Sequence, residues 1–253
     1  MAGVLAHDLE PALTLLAEEE EIQVIDAGNG QGQEGPMGEK GEVRVYLARL
    51  YRAEFGIASR IRALISMPAR TLSLSGEEIL EQVLASLAVK LSQEQLDVVL
   101  RVLASKVCVI TGGPGTGKTT LVRALCSVFK KLSQSVVLSA PTGRAARRLS
   151  EVTGKKAFTL HKLLGFNQED GRFERNFTHP LDLDVCVVDE ASMVDTMLMY
   201  HLLEALPAKA VLILVGDTFQ LPSVRPGNVL SDIIDSGRVD TFFLTRVFRQ
   251  AMK

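Results

Sequence analysis

The apolar positions along the chain follow two different spacings. Up to about residue 85 the spacing is mostly helical. Leu9, Leu13, Leu16 and Ala17 predict a short helix. Val43, Val45 and Leu47 alternate with Arg44 and Tyr46, which predicts a half-buried strand and makes it one of two strand-like pieces after that helix. Leu47, Leu50, Tyr51, Ala58, Ile61, Leu64 and Ile65 gather near one helical face until Pro68 breaks the pattern. Ser75 and Glu78 then stand at capping-box spacing for a further helix. From about residue 86 short apolar runs alternate with helical stretches. The runs are Val107–Ile110, Val136–Ser139, Val185–Val188, Ala210–Val215 and Thr241–Leu244. Strands apolar on both faces belong in a parallel sheet covered by helices, so the expected class is α/β behind a small, mostly helical N-terminal region.

Composition adds exclusions. The 253 residues are 47% hydrophobic and 23% charged, ordinary for a globular protein. No run of apolar residues is long enough to cross a bilayer, and no basic-then-apolar leader opens the chain. Three separated cysteines, Cys108, Cys126 and Cys186, give neither a disulfide framework nor a cysteine-rich zinc site. A reducing, cytoplasmic setting with no membrane partner is expected. From Gly28 to Gly41 six of 14 residues are glycine and none is aromatic or β-branched, which predicts a mobile loop at a hairpin tip. Residues 1–85 hold 7 basic and 14 acidic side chains, whereas the remainder holds 21 and 16. The basic excess is modest and by itself does not argue for nucleic acid.

The chemistry enters after the first apolar run. Gly112, Gly113, Pro114, Gly115, Thr116, Gly117, Lys118 and Thr119 match G-x-x-x-x-G-K-[ST], with Thr120 opening a helix. Glycines let the backbone turn its N–H groups around a phosphate, and the helix N-terminus adds its positive end. Lys118 is then expected to reach the β- and γ-phosphates and Thr119 to ligate Mg²⁺. A second signal is Asp189-Glu190 at the end of Val185–Val188, where open parallel sheets bind ligands. Asp189 is expected to hold Mg²⁺ and Glu190 to orient or deprotonate the attacking water. A third run ends in Gly216-Asp217-Thr218-Phe219-Gln220, and Gln220 stands where an amide would sense the γ-phosphate; a plain turn residue is the competing reading.

The order of these motifs resembles a superfamily 1 helicase of the RecD type, related to the alpha subunit of exodeoxyribonuclease V. The resemblance rests on TGGPGTGKTT, APTGRAARRLSE (140–151), TLHKLL (159–164), VVDEASMVD (187–195), GDTFQLPSVRPGNVL (216–230) and LTRVFRQA (244–251). LARLYRAEFGIASRIRALI (47–65) resembles the segment before the motor in the stand-alone branch of that family. The resemblance implies a RecA-like P-loop domain that binds ATP with Mg²⁺. It implies an ATP-dependent helicase or translocase on single-stranded DNA, moving five-prime to three-prime, with repair or recombination proteins as partners. Gln95 inherits the adenine contact, although Ser92-x-x-Gln95 is also a capping box by itself. Arg249 inherits a transition-state arginine. Pro141, Thr142, Arg144 and His161 inherit contacts to the DNA strand, while Arg147 and Arg148 read as solvated helix-face charges. Arg225 stands where a small residue is expected.

The implied organisation is a helix-plus-hairpin region over 1–47, a helical region over 48–85, a first motor domain over 86–238, and the start of a second over 239–253. The family's later motifs lie beyond Lys253, so the chain is expected to be a fragment that binds ATP and hydrolyses it weakly. A P-loop ATPase of another class, or a non-catalytic nucleotide-binding module, remains an alternative at this level.

Overall fold

The computed structural model describes residues 13–26, 43–68, 78 and 91–246. The glycine-rich segment, Ser75 of the expected helix start and Arg249 lie outside the described residues. The chain divides into two compact units, 1–56 and 57–253. The division falls inside a helix, Ala48–Ser66.

In the first unit residues 13–18 are helical. Strand β1 (Ile22–Asp26) pairs antiparallel with β2 (Val43–Leu47), Val24 lying opposite Val45. The hairpin is as the alternation predicts, but its burial is not. Val24, Val45 and Leu47 are 40%, 44% and 47% exposed. Two strands have no second layer of their own to cover an apolar face.

Helix α1 (Ala48–Ser66) begins directly after β2 and ends just before Pro68. Its buried positions are Ala48, Ala53, Ile57, Ile61 and Leu64, so the stripe is rotated from the expected one and Ile65 is 39% exposed. In the second unit Arg60 of this helix donates to Leu203 O (3.2 Å) and Leu206 O (2.6 Å). Those carbonyls end helix α6 (Thr196–Ala205), and a cation there satisfies groups that have no partner within the helix.

The rest of the second unit is one six-stranded sheet. Its strands are β3 (Val107–Gly112), β4 (Val136–Ala140), β5 (Ala157–Thr159), β6 (Val185–Val188), β7 (Val211–Gly216) and β8 (Asp240–Leu244). The order is β5-β4-β6-β7-β3-β8 and every pairing is parallel. Alternate residues of each strand face opposite cores. Val107 and Val109 join Cys186, Val188, Leu212 and Leu214 on one side, with α1 and α6. Cys108 and Ile110 join Val185, Val187, Ile213 and Val215 on the other. That second side is covered by α2 (Gln93–Ala104), α3 (Lys118–Lys131) and α4 (Gly143–Thr153). All three cysteines are free and buried, as small core side chains.

Two features depart from the sequence reading. Strand β5 is unforeseen, because three half-buried residues carry no periodic signal. Strand β8 pairs with β3 from Cys108↔Asp240 to Gly112↔Leu244. Residues 240–244 therefore complete the first sheet instead of opening a second domain.

Candidate functional site: a phosphate-loop cleft

The site lies at the carboxyl ends of β3, β6 and β7, which are adjacent in the sheet. The loop after β3 is shaped by its glycines. Gly115 and Gly117 have φ of 78° and 84°, a region that side chains disfavour, and Gly117 is the N-cap of α3. A Cβ on Gly112 would stand 2.5 Å from Leu244 O and 2.9 Å from Thr116 Oγ1, so β8 itself demands glycine there. Thr116 is buried and its hydroxyl donates to Gly113 O at 2.8 Å, bracing the loop. Half-buried Lys118 donates to Gly112 O and to Gly113 O, the latter at 3.0 Å. Desolvation pulls the Lys118 ammonium below its ordinary pKa, while Asp217 and Asp189 pull the other way. Thr119 and Thr120 are half-buried at the start of α3.

Gln95 approaches from α2. It is 2% exposed and completes the capping box: Ser92 N donates to Gln95 Oε1 (3.0 Å) and Gln95 N to Ser92 Oγ (3.3 Å). Its Nε2 also donates to Gly117 O at 3.4 Å, which ties the helix cap to the phosphate loop. The neighbouring Glu94 accepts from Thr245 N and Thr245 Oγ1, both at 3.0 Å, where the chain leaves β8. The Thr245 amide and hydroxyl hold the Glu94 carboxyl below its ordinary pKa, despite some desolvation.

Asp189 follows β6. Its N–H donates to Ser139 O at 2.9 Å, and its Oδ1 accepts from Glu190 N at 3.0 Å. Burial raises the Asp189 pKa; the Glu190 amide, Lys118 and Arg148 oppose that rise. Glu190 has φ 52°, a left-handed conformation that a non-glycine residue adopts at a cost. Gln220 follows β7 and is tied to Asp217. Its Nε2 donates to Asp217 Oδ2 (3.2 Å) and its N–H to Asp217 O (3.1 Å), while Phe219 N donates to Asp217 Oδ1 (3.1 Å). Asp217 is 3% exposed.

These groups line one cleft of about 540 Å³, together with Ala145, Arg148 and Val152 of α4. It thus gathers Gln95, the loop from Pro114 to Thr120, Asp189, Glu190 and Gln220, as the sequence expects. Two members were missed. Asp217 carries the same signal as Asp189, an acid directly after a buried strand. Arg148, read as a solvated charge, is exposed at its surface yet lines the cleft.

The expected strand-binding residues do not line the cleft. Thr142 caps α4, its Oγ1 accepting from Ala145 N at 3.2 Å, and Arg144 is exposed on the first turn. Pro141 is half-buried at the end of β4. His161, on the short helix α5 (Leu160–Leu163), packs edge-on against Phe166 with centroids 5.3 Å apart and lies 5.9 Å from Phe173. Arg225 is exposed, and its N–H donates to Ser223 Oγ at 3.1 Å.

Thr119 and Asp189 offer oxygen donors of the kind that suits Mg²⁺. Among the described residues no group of three or more His, Cys, Asp or Glu side chains is placed to hold a metal alone. The donor set therefore fits an ion that takes the rest of its ligands from phosphate and water. Among the described residues, too, no helix is long and apolar enough to cross a membrane.

A strand, a glycine loop gripping its own lysine and an acidic pair at the end of a second buried strand of the same sheet define a phosphate-loop nucleotide-binding domain. The chain belongs to the AAA domain family, whose model matches residues 95–226. It is similar to the ATP-dependent RecD2 DNA helicase of Deinococcus radiodurans, 42% identical over 214 residues, covering 84% of this chain and 29% of that protein. It is also similar to the RecBCD enzyme subunit RecD of Haemophilus influenzae, 37% identical over 217 residues, covering 75% of this chain and 33% of that protein. Among solved structures it is similar to the Pif1 helicase from Candida albicans, with TM-score 0.50 and 29% identity, covering 64% of this chain and 41% of that one. The RecD-type likeness and the α/β class expected from the motifs are both borne out. The chain spans about a third of the length of these RecD relatives.

Proposed function

We propose that this chain supplies the nucleotide-binding motor domain of an ATP-dependent DNA helicase that moves on single-stranded DNA, five-prime to three-prime, in recombination and repair. The observation that carries the reading is the convergence of Lys118, Thr119, Asp189, Glu190, Gln220 and Gln95 on one cleft. A phosphate loop alone fits many ATPases. The glutamine at α2 and the Asp217–Gln220 turn, in a chain 42% identical to an ATP-dependent RecD2 DNA helicase, favour the helicase class.

In this reading the amides at the start of α3 and the Lys118 ammonium hold the β- and γ-phosphates. Thr119 and Asp189 hold Mg²⁺, which offsets charge on the phosphates when bound. Glu190 orients the attacking water and accepts its proton, and Gln220 contacts the γ-phosphate from the end of the neighbouring strand. Gln95 contacts adenine. Arg249 meets the developing charge from the segment beyond β8. Pro141, Thr142, Arg144 and His161 face the DNA strand at the ends of β4 and β5. Arg249 needs a facing domain to hold it in place, and an arginine in that role is worth on the order of 10³–10⁵ in rate. The chain therefore binds Mg-ATP but turns it over slowly, with little unwinding.

The test is steady-state ATP hydrolysis with and without single-stranded DNA, for this chain and for a version extended to the length of its RecD relatives. DNA-stimulated turnover by the longer protein, with weak turnover by the shorter, is expected. Turnover indifferent to DNA in both would place the protein among other P-loop ATPases.

A further inference from the structure

The wall of the cleft formed by α4 has no assigned role. Ala145, Arg148 and Val152 are spaced by three and four residues, so they share one helical face, and that face lines the cleft. Ala145, Ala146 and Leu149 of α4 are buried in the core, which fixes the rotation of the helix and leaves Arg148 at the edge of the buried face. Arg147 and Glu151 are exposed and do not line the cleft. The placement of Arg148 is thus set by packing.

Charge gives that placement a purpose. The charged side chains lining the cleft are Lys118, Arg148, Asp189, Glu190 and Asp217. Without Arg148, one lysine would face three carboxylates where a polyphosphate is to bind. Arg148 is near enough to Asp189 for its charge to favour the ionised carboxylate. It therefore lies on the part of the cleft wall within reach of Asp189, the expected metal-holding carboxylate. A guanidinium offers a planar fork that matches phosphate oxygens.

We propose that Arg148 is a second phosphate-binding cation of the cleft, pairing with the terminal phosphate of a bound nucleoside triphosphate. The inference rests on the nucleotide-binding reading above and deepens it. It also gives α4 two ends with different duties. Its first turn carries Thr142 and Arg144, the strand-contact candidates, and Arg148 lies one turn further on. A shift of this single rigid helix on strand binding would move Arg148 relative to the triphosphate.

The test is binding, with Mg²⁺, of a non-hydrolysable ATP analogue and of ADP to the unsubstituted chain and to Arg148→Ala, Arg148→Lys and Arg147→Ala. Arg148→Ala is expected to weaken the triphosphate analogue about tenfold while leaving ADP within about twofold, as loss of one charge-assisted contact predicts. Arg148→Lys should keep part of the triphosphate preference, and Arg147→Ala should change neither. Arg148 is exposed, so unaltered thermal midpoints are expected for all three variants. Equal loss of both nucleotides in Arg148→Ala, or no loss of either, overturns the assignment. Failure of the unsubstituted chain to bind either nucleotide overturns the nucleotide-binding reading itself, and this inference with it.

Discussion

Two loops leave the carboxyl ends of neighbouring strands, and they are built on opposite principles. The loop after β3 satisfies itself. Thr116 and Lys118 bond its own carbonyls, and two glycines at positive φ set its course. The loop after β7 is held at its root, where Asp217 accepts from Phe219 N, Gln220 Nε2 and Gln220 N, and at its far end, where Pro226 O accepts from Thr196 N. Beyond that root, Phe219, Leu221 and Val224 are 97%, 84% and 101% exposed. The first loop is shaped in advance for a ligand. The second carries apolar surface that nothing among the described residues covers.

Substitutions can break this contrast, beginning with the largest effect. Lys118→Ala should lower ATP hydrolysis by the full-length protein by about 10³-fold or more. Its thermal midpoint should hold, because the ammonium serves the loop and ligand and not the core. Near-normal turnover in a folded variant would remove the phosphate-loop assignment. Gly112→Ala should cost about 2–3 kcal/mol, since its Cβ would stand 2.5 Å from Leu244 O and the β3–β8 pairing must give way. Denaturant unfolding measures that cost, and an unchanged midpoint would mean that β8 is loosely held. Asp217→Asn should cost about 1 kcal/mol, because an amide nitrogen cannot accept from Gln220 Nε2. The same change should free Gln220 and slow hydrolysis; unaffected turnover would separate Gln220 from the γ-phosphate.

A smaller effect follows from the burial of Asp189. Its folded pKa is raised above the ordinary 3.8, so the unfolded chain ionises first as pH rises. Stability is then lost above about pH 4 and the loss is complete once pH passes the raised folded value. Without Mg²⁺, Asp189→Asn should abolish this part of the pH dependence and raise stability at neutral pH. Asn Oδ1 can still accept from Glu190 N. A variant less stable than the parent at pH 7 would show that the carboxylate is net favourable. The smallest effect belongs to the open loop. Phe219→Ser should leave stability within about 0.5 kcal/mol. A larger fall in the thermal midpoint would mean that the loop packs in solution, and the contrast would vanish.

The two loops also differ in how far sequence could reach. The phosphate loop is contiguous, its chemistry is local, and its residues were legible one by one. Asp189 and Glu190 were legible because a buried strand precedes them. Asp217 follows a buried strand in the same way, but the neighbouring Gln220 drew the reading. Arg148 was harder: whether a charge on an amphipathic helix meets water or a cleft depends on what the buried face packs against. Here Ala146 and Leu149 decide it through contacts distant in sequence. The membership of β8 in the first sheet was hidden for a related reason. Strand order is a property of pairing, and Asp240–Leu244 reads the same beside β3 as it would in a sheet of its own.

The junction between α2 and the end of β8 has a mechanical consequence. Gln95 reaches the cleft and Glu94, one residue earlier, holds Thr245 by two hydrogen bonds. Adjacent residues at a capped helix start cannot travel independently. A displacement of the helix start as the cleft fills would therefore act on the point where the polypeptide departs from the sheet. The α2 terminus thus couples the cleft to the outgoing chain through two neighbouring side chains.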